Sequence, residues 1–442
     1  MSSFFAHACL GLTVSIASIL VVQRATVSEG AEHLHPVHAA QNASAFIESL
    51  GVNVHLSYTS TPYGDLSQVK RQLGYLGLPN IRDNVSNGPQ EFMALSTLAG
   101  LGYKIDMLAN TSLSNFLTQA RNLEAAHPGS VLAIEGLNEV NGWPPSYAGL
   151  TGVAAAIRHQ KDLHASVKSD RLLNHVPVYN FTLADARPAA YRALGDLSAY
   201  ADHGNFHDYY GGGQPAYGWS AGDSTFWWSS WQNTAQMPAP GKAVVVTETG
   251  ATTAIKAKGY VGVDEATQAK QILNSLMDGA KYGNRAVFIY ELVESVNNGP
   301  ADRESHFGVF RWDGAPKPAA TAIHNFIHIL SDGGALTGTP GTLDYTIQGV
   351  PQWGGQMLYQ EGDGTKDIVV WAEPDIWNEG SRTPITAPNT PITIDLATAA
   401  NVSIYDPMKG STPVQSLGTT SHITFNVTDH PLIVEIRQAS AH

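Results

Sequence analysis

Between residues 50 and 330 the chain alternates, eight times over, between a short apolar run and a segment of helical periodicity. The apolar runs cover residues 52–56, 80–83, 103–108, 131–137, 176–179, 205–207, 243–247 and 286–290. Runs of this kind suit strands buried on both faces, as parallel strands are when helices cover their sheet. The clearest helix follows the seventh run. There Ala269, Ile272, Leu273, Leu276, Met277 and Ala280 recur at spacings of three and four, which gives one apolar stripe. Gly283 stands just past it, where a left-handed cap belongs. Eight strand–helix pairs predict a (β/α)₈ TIM barrel over residues 40–332. A doubly wound open sheet is the alternative. It calls for a Gly-rich phosphate turn after its first strand, and residues 52–58 contain none.

The pattern changes after residue 335. Segments 344–348, 357–360, 368–371, 393–396, 402–405, 423–427 and 432–436 read as short strands separated by Gly, Pro, Asp and Thr, with no helix between them. They predict a C-terminal β-sandwich module over residues 335–442. The expected class is therefore α/β, a barrel carrying an all-β module. A length of 442 residues accommodates both.

The N-terminus reads differently again. Residues 8–22 are apolar, too few for a comfortable membrane span and suited to the core of an export signal. Residues 1–30 are expected to be a signal peptide, or an anchor if left uncleaved, and the protein to be secreted or periplasmic. Membrane contact is expected only in the uncleaved case. The single cysteine, Cys9, lies in this stretch, so no intramolecular disulfide and no Cys-based metal site is available. His33, His35 and His38 form a His-rich run, read as part of a leader ahead of the first strand and not as a metal site. A net charge of −13 without clustered Lys and Arg excludes a nucleic-acid partner.

In a barrel the chemistry gathers at the C-terminal ends of the strands. Strand four ends in Ile134-Glu135-Gly136-Leu137-Asn138-Glu139, and strand seven in Val246-Thr247-Glu248-Thr249-Gly250. A carboxylate at the mouth of a buried strand is costly unless it has partners or a task. Two of them facing each other across one barrel meet the requirement for breaking a glycosidic bond. One protonates the leaving oxygen, and the other attacks the anomeric carbon or activates water.

At these residues the chain resembles glycoside hydrolase clan A, which carries an Asn-Glu pair after strand four and a Glu after strand seven. Within the clan it is most similar to family 39. The resemblance spans roughly residues 50–330. It implies Glu139 as acid/base, Glu248 as nucleophile and Asn138 as a contact to the sugar 2-hydroxyl. It places Arg82, at the end of strand two, near the nucleophile, and His207 and Tyr209, ending strand six, against nucleophile or substrate. The segment Phe307-Gly308-Val309 to Asp313-Gly314-Ala315-Pro316-Lys317-Pro318-Ala319 resembles the link into the last helix. Tyr290-Glu291 departs from the pattern, standing where a Trp is common. The implied activity is retaining hydrolysis of a β-linked oligo- or polysaccharide, without metal or organic cofactor. A transglycosylase using the same site and a non-catalytic carbohydrate-binding protein are the alternatives.

Other polar and aromatic positions carry weaker signals. His55 and Tyr290 end strands one and eight, and Trp312 lies in the link to the last helix. All three are candidate substrate contacts. Glu135 reads as a buried structural partner, and Glu291 is the rival catalytic carboxylate. Trp227 and Trp231, four apart, suit one helix face turned to the core. Trp219 follows Gly211-Gly212-Gly213 in a long loop on the catalytic side and reads as a sugar-stacking ring.

Overall fold

The computed structural model describes residues 35–86, 88–184 and 187–438. The candidate export signal, Cys9 and His33 lie outside the described residues. No helix among the described residues is long and apolar enough to cross a membrane.

Eight parallel strands form the barrel. In chain order they are Leu50–Val54, Asn80–Asn84, Lys104–Leu108, Val131–Glu135, Val178–Tyr179, Gly204–Tyr209, Val244–Gly250 and Val287–Ile289. Strand eight pairs with strand one in parallel. A parallel bridge between Tyr179 and His203 closes the remaining gap between strands five and six. Helices alternate with the strands on the outside. Helix Glu265–Lys281 follows strand seven, with the Asp264 side chain accepting from the Thr267 amide at its start. Gly283 takes a φ of 68° just past its end, as the sequence predicts.

The barrel interior is built in layers. Ala133, Tyr179, Val245, Ala286 and Phe288 form a small apolar plug. Gly51 belongs beside it, because a Cβ there would stand 2.4 Å from the Phe288 ring. Above the plug comes a polar layer of Asn53, Arg82, Glu135, Asn205 and Thr247, each buried.

The second sheet takes in more of the chain than its C-terminal part. Its order is Val37–Ala39, Thr342–Gln348, Thr390–Tyr405, Leu432–Arg437, Lys366–Ala372, Gly354–Gln360 and Gln41–Asn42, with Gln415–Val427 added beside Thr390–Tyr405. Residues 37–42 therefore belong with the module. His38, read as leader, is in a strand, its ring stacked 4.0 Å from that of Tyr345. The runs 393–396 and 402–405 are one strand. Its first half pairs with Thr342–Gln348 and its second with Leu432–Arg437, with an irregularity between Asp395 and Ala400. One bent strand thus serves both layers around a shared apolar core, as strands do at the corners of β-sandwiches.

Barrel and module share a core, since Tyr359, Val369, Trp371 and Ile433 pack in the same cluster as the barrel residues. Polar bonds run along the junction. Lys270 Nζ reaches Asp429 Oδ2 at 2.7 Å, and the Ala216 amide donates to Glu373 Oε2 at 2.9 Å. The module strand Gly354–Gln360 receives Lys281 Nζ on the Gly354 carbonyl at 2.6 Å.

Three buried carboxyls meet at this junction: Asp208 from strand six, Asp278 from helix Glu265–Lys281, and Glu373 from the module. Burial pushes Glu373 up to about 7, against the opposing pull of bonds from Ala216, Asp278 and Trp371 and of the Lys281 charge. Burial and the neighbouring Glu373 also hold Asp208 and Asp278 well above the usual carboxylate range. A raised acid favours the folded state while it stays protonated. The contribution is complete below the ordinary carboxylate value and is lost as pH rises through about 7 for Glu373. Thermal melting is therefore expected at a lower temperature at pH 8 than at pH 5, and Glu373→Gln should flatten the difference. Equal slopes in wild type and variant, by calorimetry, would contradict this. Truncation after residue 335 should expose the shared core and yield an aggregating or unfolded barrel, readable by circular dichroism. A soluble, cooperatively melting truncation would contradict the shared-core account.

Candidate active site

The Arg82 guanidinium lies at the centre of the site, buried at 3 % exposure. Its Nε and Nη2 donate to the two oxygens of Glu135 at 2.5 and 3.0 Å. Nη1 donates to Asn53 Oδ1 and to Glu248 Oε1, both at 2.7 Å. Nη2 also reaches Asn138 Oδ1 at 3.0 Å. One cation thus joins strands one, two, four and seven. Glu135 accepts further bonds from Asn205 Nδ2 at 2.9 Å and Thr247 Oγ1 at 3.0 Å. Asp106, on strand three, is fully buried beside this group. Burial first, then the Glu135 charge, push it well above the usual carboxylate range, which keeps it neutral.

Glu248 stands above this layer. Strict alternation along strand seven would turn either Thr247 or Glu248 outward. Register shifts against strands six and eight break the alternation here. Both side chains therefore reach the barrel mouth, which is how bulges re-aim residues beside active sites. Tyr209 donates to Glu248 Oε2 at 2.5 Å. Burial would raise the Glu248 carboxyl, but the charges of His207 and Arg82 and the bonds from Tyr209 and Arg82 hold it below its ordinary value.

Glu139 comes from the segment after strand four. Gly136 lets that segment pass, since a Cβ there would lie 2.6 Å from the Phe181 amide nitrogen. Glu139 itself has a φ of 39°, in the left-handed region that costs a non-glycine residue roughly 1–2 kcal/mol. Its amide donates to Thr182 Oγ1 at 2.9 Å, which fixes the turn. Its carboxyl meets His207, with Oε1 3.0 Å from Nδ1. Glu248 Oε2 is 3.5 Å from the same nitrogen. An oxygen of each carboxylate and a His207 nitrogen all lie within 4.8 Å of one another.

The protons around His207 can be assigned. Thr247 has one hydroxyl hydrogen, and it goes to Glu135 Oε1 or Asn205 Oδ1. Thr247 Oγ1 is then left to accept from His207 Nε2, 3.1 Å away. That leaves one proton between Nδ1 and Glu139 Oε1. Burial lowers the affinity of His207 for it, but Glu248 and Glu139 outweigh burial and hold the imidazole above its ordinary value.

Glu139, Glu248, Asn138, Arg82, His207 and Tyr209 are thus brought together, and Tyr290 closes the group with its ring 6.1 Å from that of Tyr209. Of the remaining candidates, His55 borders the group, its ring 5.6 Å from that of Tyr290. Glu291 is fully buried, and its oxygens face Tyr63, Ser295 and His55 at 3.3, 3.0 and 3.1 Å. His55 serves Glu291 and stacks on Tyr58 at 4.8 Å. Trp312 lies in the link toward the last helix, with its amide on Glu294 Oε2 at 2.9 Å. The core-facing pair on helix Trp228–Gln236 is Trp228 and Trp231, packed on Phe206. Trp227, expected to share that face with Trp231, instead precedes the helix and meets Trp353 of the module at 4.9 Å.

Sequence reading missed Asn53, Asp106, Asn205 and Thr247. Each is a polar residue in a buried strand, and that is the signal that marks them. It also passed over Trp143, which is 74 % exposed four residues after Glu139.

No protein-family model matches the chain, and no curated protein matches it. Solved structures do. A family 39 glycoside hydrolase from Bacteroides cellulosilyticus WH2 superposes with a TM-score of 0.62 at 14 % identity, over 89 % of this chain and 82 % of that one. A monomeric β-xylosidase from Caulobacter crescentus CB15 gives 0.59 at 14 % identity, over 91 % and 98 %. A GH39 enzyme from Xanthomonas axonopodis pv. citri gives 0.56 at 13 % identity, over 93 % and 100 %. The chain has the barrel-plus-module fold of family 39 glycoside hydrolases.

Proposed function

We propose that this protein is a retaining β-glycoside hydrolase acting on a carbohydrate chain. The observation that carries the reading is the pair Glu139 and Glu248, one oxygen of each within 4.8 Å of the other, with His207 Nδ1 at 3.0 and 3.5 Å from the two. Carboxyl groups about 5–5.5 Å apart belong to double displacement, whereas inverting enzymes keep them about 6.5–9.5 Å apart to admit a water. A protein that only bound sugar would have no use for holding two carboxylates so close in a buried site.

Each group then has a task. Glu248 stays ionised beside Arg82 and His207, and its oxygens are oriented by Arg82 and Tyr209. It attacks the anomeric carbon, forming a glycosyl ester as the glycosidic C–O bond breaks. Glu139 gives the leaving oxygen its proton. In the second step Glu139 takes a proton from water, the water oxygen bonds to the anomeric carbon, and Glu248 leaves as carboxylate. His207 acts through Glu139, its Nδ1 3.0 Å from Glu139 Oε1, and orients the acid toward the leaving oxygen. Asn138, anchored by Arg82, is positioned to meet the sugar 2-hydroxyl. The N-terminal apolar segment fits a protein exported to reach such a substrate.

Glu248→Ala should lower turnover roughly a thousandfold or more while the circular dichroism spectrum is kept. Added azide should restore reaction and give a glycosyl azide of inverted configuration. Glu291→Gln should stay active. A dead Glu291→Gln beside a working Glu248→Ala would reverse the assignment. Proton NMR of the first product released from an aryl β-glycoside should show the β anomer, and an α product would exclude double displacement.

A further inference from the structure

A hollow of about 350 Å³ lies where the loop after strand six meets the module. Barrel residues Gly212, Gly213, Tyr217 and Trp219 form one wall, and Trp353, Trp377 and the segment from Glu373 to Glu379 form the other. Its size is within the range of small-ligand pockets. Its lining combines aromatic rings with carboxylates. Asp375 and Glu379 are exposed at the rim and Glu373 is buried behind them. Tyr217, Glu373, Asp375 and Glu379 thus line one hollow together. No basic side chain is among the described residues that line the hollow.

A file of rings connects this hollow to the catalytic pair. Tyr209, bonded to Glu248, lies 5.5 Å from Phe307; Phe307 lies 6.3 Å from Tyr260; and Tyr260 lies 4.9 Å from Trp219, at the lip of the hollow. Trp219 rests directly on Gly211, where a Cβ would stand 2.6 Å from its ring. Gly211 thus leaves room for the Trp219 ring against the end of strand six.

We propose that this hollow is a distal subsite for an uncharged, hydroxyl-rich sugar unit of the chain whose bond is cut at Glu139 and Glu248. This rests on the glycoside hydrolase reading and adds a substrate class to it. Aromatic faces stack on the apolar face of a pyranose. Carboxylates, which only accept, pair with its hydroxyls. Asp375 and Glu379, exposed at the rim with no basic side chain among the described residues lining the hollow, repel a uronate at the same place, so polyuronates are disfavoured. The module contributes half of the subsite and is part of the binding surface as well as a structural support.

The test compares kcat/KM on a long neutral β-linked oligosaccharide and on a small aryl glycoside for wild type, Trp353→Ala and Asp375→Asn. Trp353→Ala should lose roughly tenfold or more on the long chain and keep its rate on the aryl glycoside. Asp375→Asn, at an exposed position, should lose less on the long neutral chain and should narrow the preference for it over an oligouronate of equal length. Equal losses on long and short substrates, or no loss on either, would overturn the subsite. If wild type cleaves no glycoside, the catalytic reading fails by itself. The subsite is then judged by calorimetric titration with the neutral oligosaccharide: binding that disappears in Trp353→Ala supports it, and no binding, or binding unchanged in the variant, overturns it.

Discussion

The site depends on one buried guanidinium. Arg82 makes five bonds to four residues, and through Glu135 it also orients Asn205 and Thr247. Burying a cation is costly unless its donors are used and its charge is balanced. Here the planar fork meets Glu135 with two donors and still reaches Glu248 and Asn138, a geometry that a lysine ammonium does not reproduce. The arrangement holds two carboxylates against one cation. The third carboxyl nearby, Asp106, is kept neutral by its burial and by Glu135.

That balance explains why neighbouring carboxyls behave differently. Glu248 lies against Arg82 and His207 and is held in its charged form. Glu139 has no bond to Arg82 and meets His207 instead, its Oε1 3.0 Å from the imidazole Nδ1. Glu291 is as deeply buried as any of them but is spent on Tyr63, Ser295 and His55. Chemical type alone does not separate these acids. Their partners do.

The module is joined to the barrel by the same means, apolar packing with a few buried polar groups. Phe46 of the barrel stacks on Tyr359 of the module at 4.8 Å, and Asn274 holds the Asp429 carbonyl at 3.0 Å. At the junction the loop after strand six is pinned from both sides: Gln271 binds the Gly211 and Gly213 carbonyls, and Glu373 binds the Ala216 amide. A long loop on the catalytic face is thus held in place by the module, which ties the placing of Trp219 to the packing of the two parts.

Much of this was legible in the sequence. The eight alternations gave the barrel because strands covered by helices must be apolar on both faces, and that periodicity is local. Asn138-Glu139 and Glu248 stood out because carboxylates are out of place at the mouths of such strands. The chain's own order could not reveal that residues 37–42 pair with strands more than 300 positions later, since two- and three-residue strands have no pattern of their own. Nor could it reveal the register shifts that bring Thr247 and Glu248 to the same side, because period-two alternation predicts the opposite. The resemblance singled out Glu139 and Glu248 with Glu291 as their rival, but the partners that each of Glu135, Glu139, Glu248 and Glu291 meets belonged wholly to the tertiary structure. A carboxyl's role is set by the charges and donors within a few ångströms of it, and here those come from strands far apart in the chain, brought together only when the barrel closes.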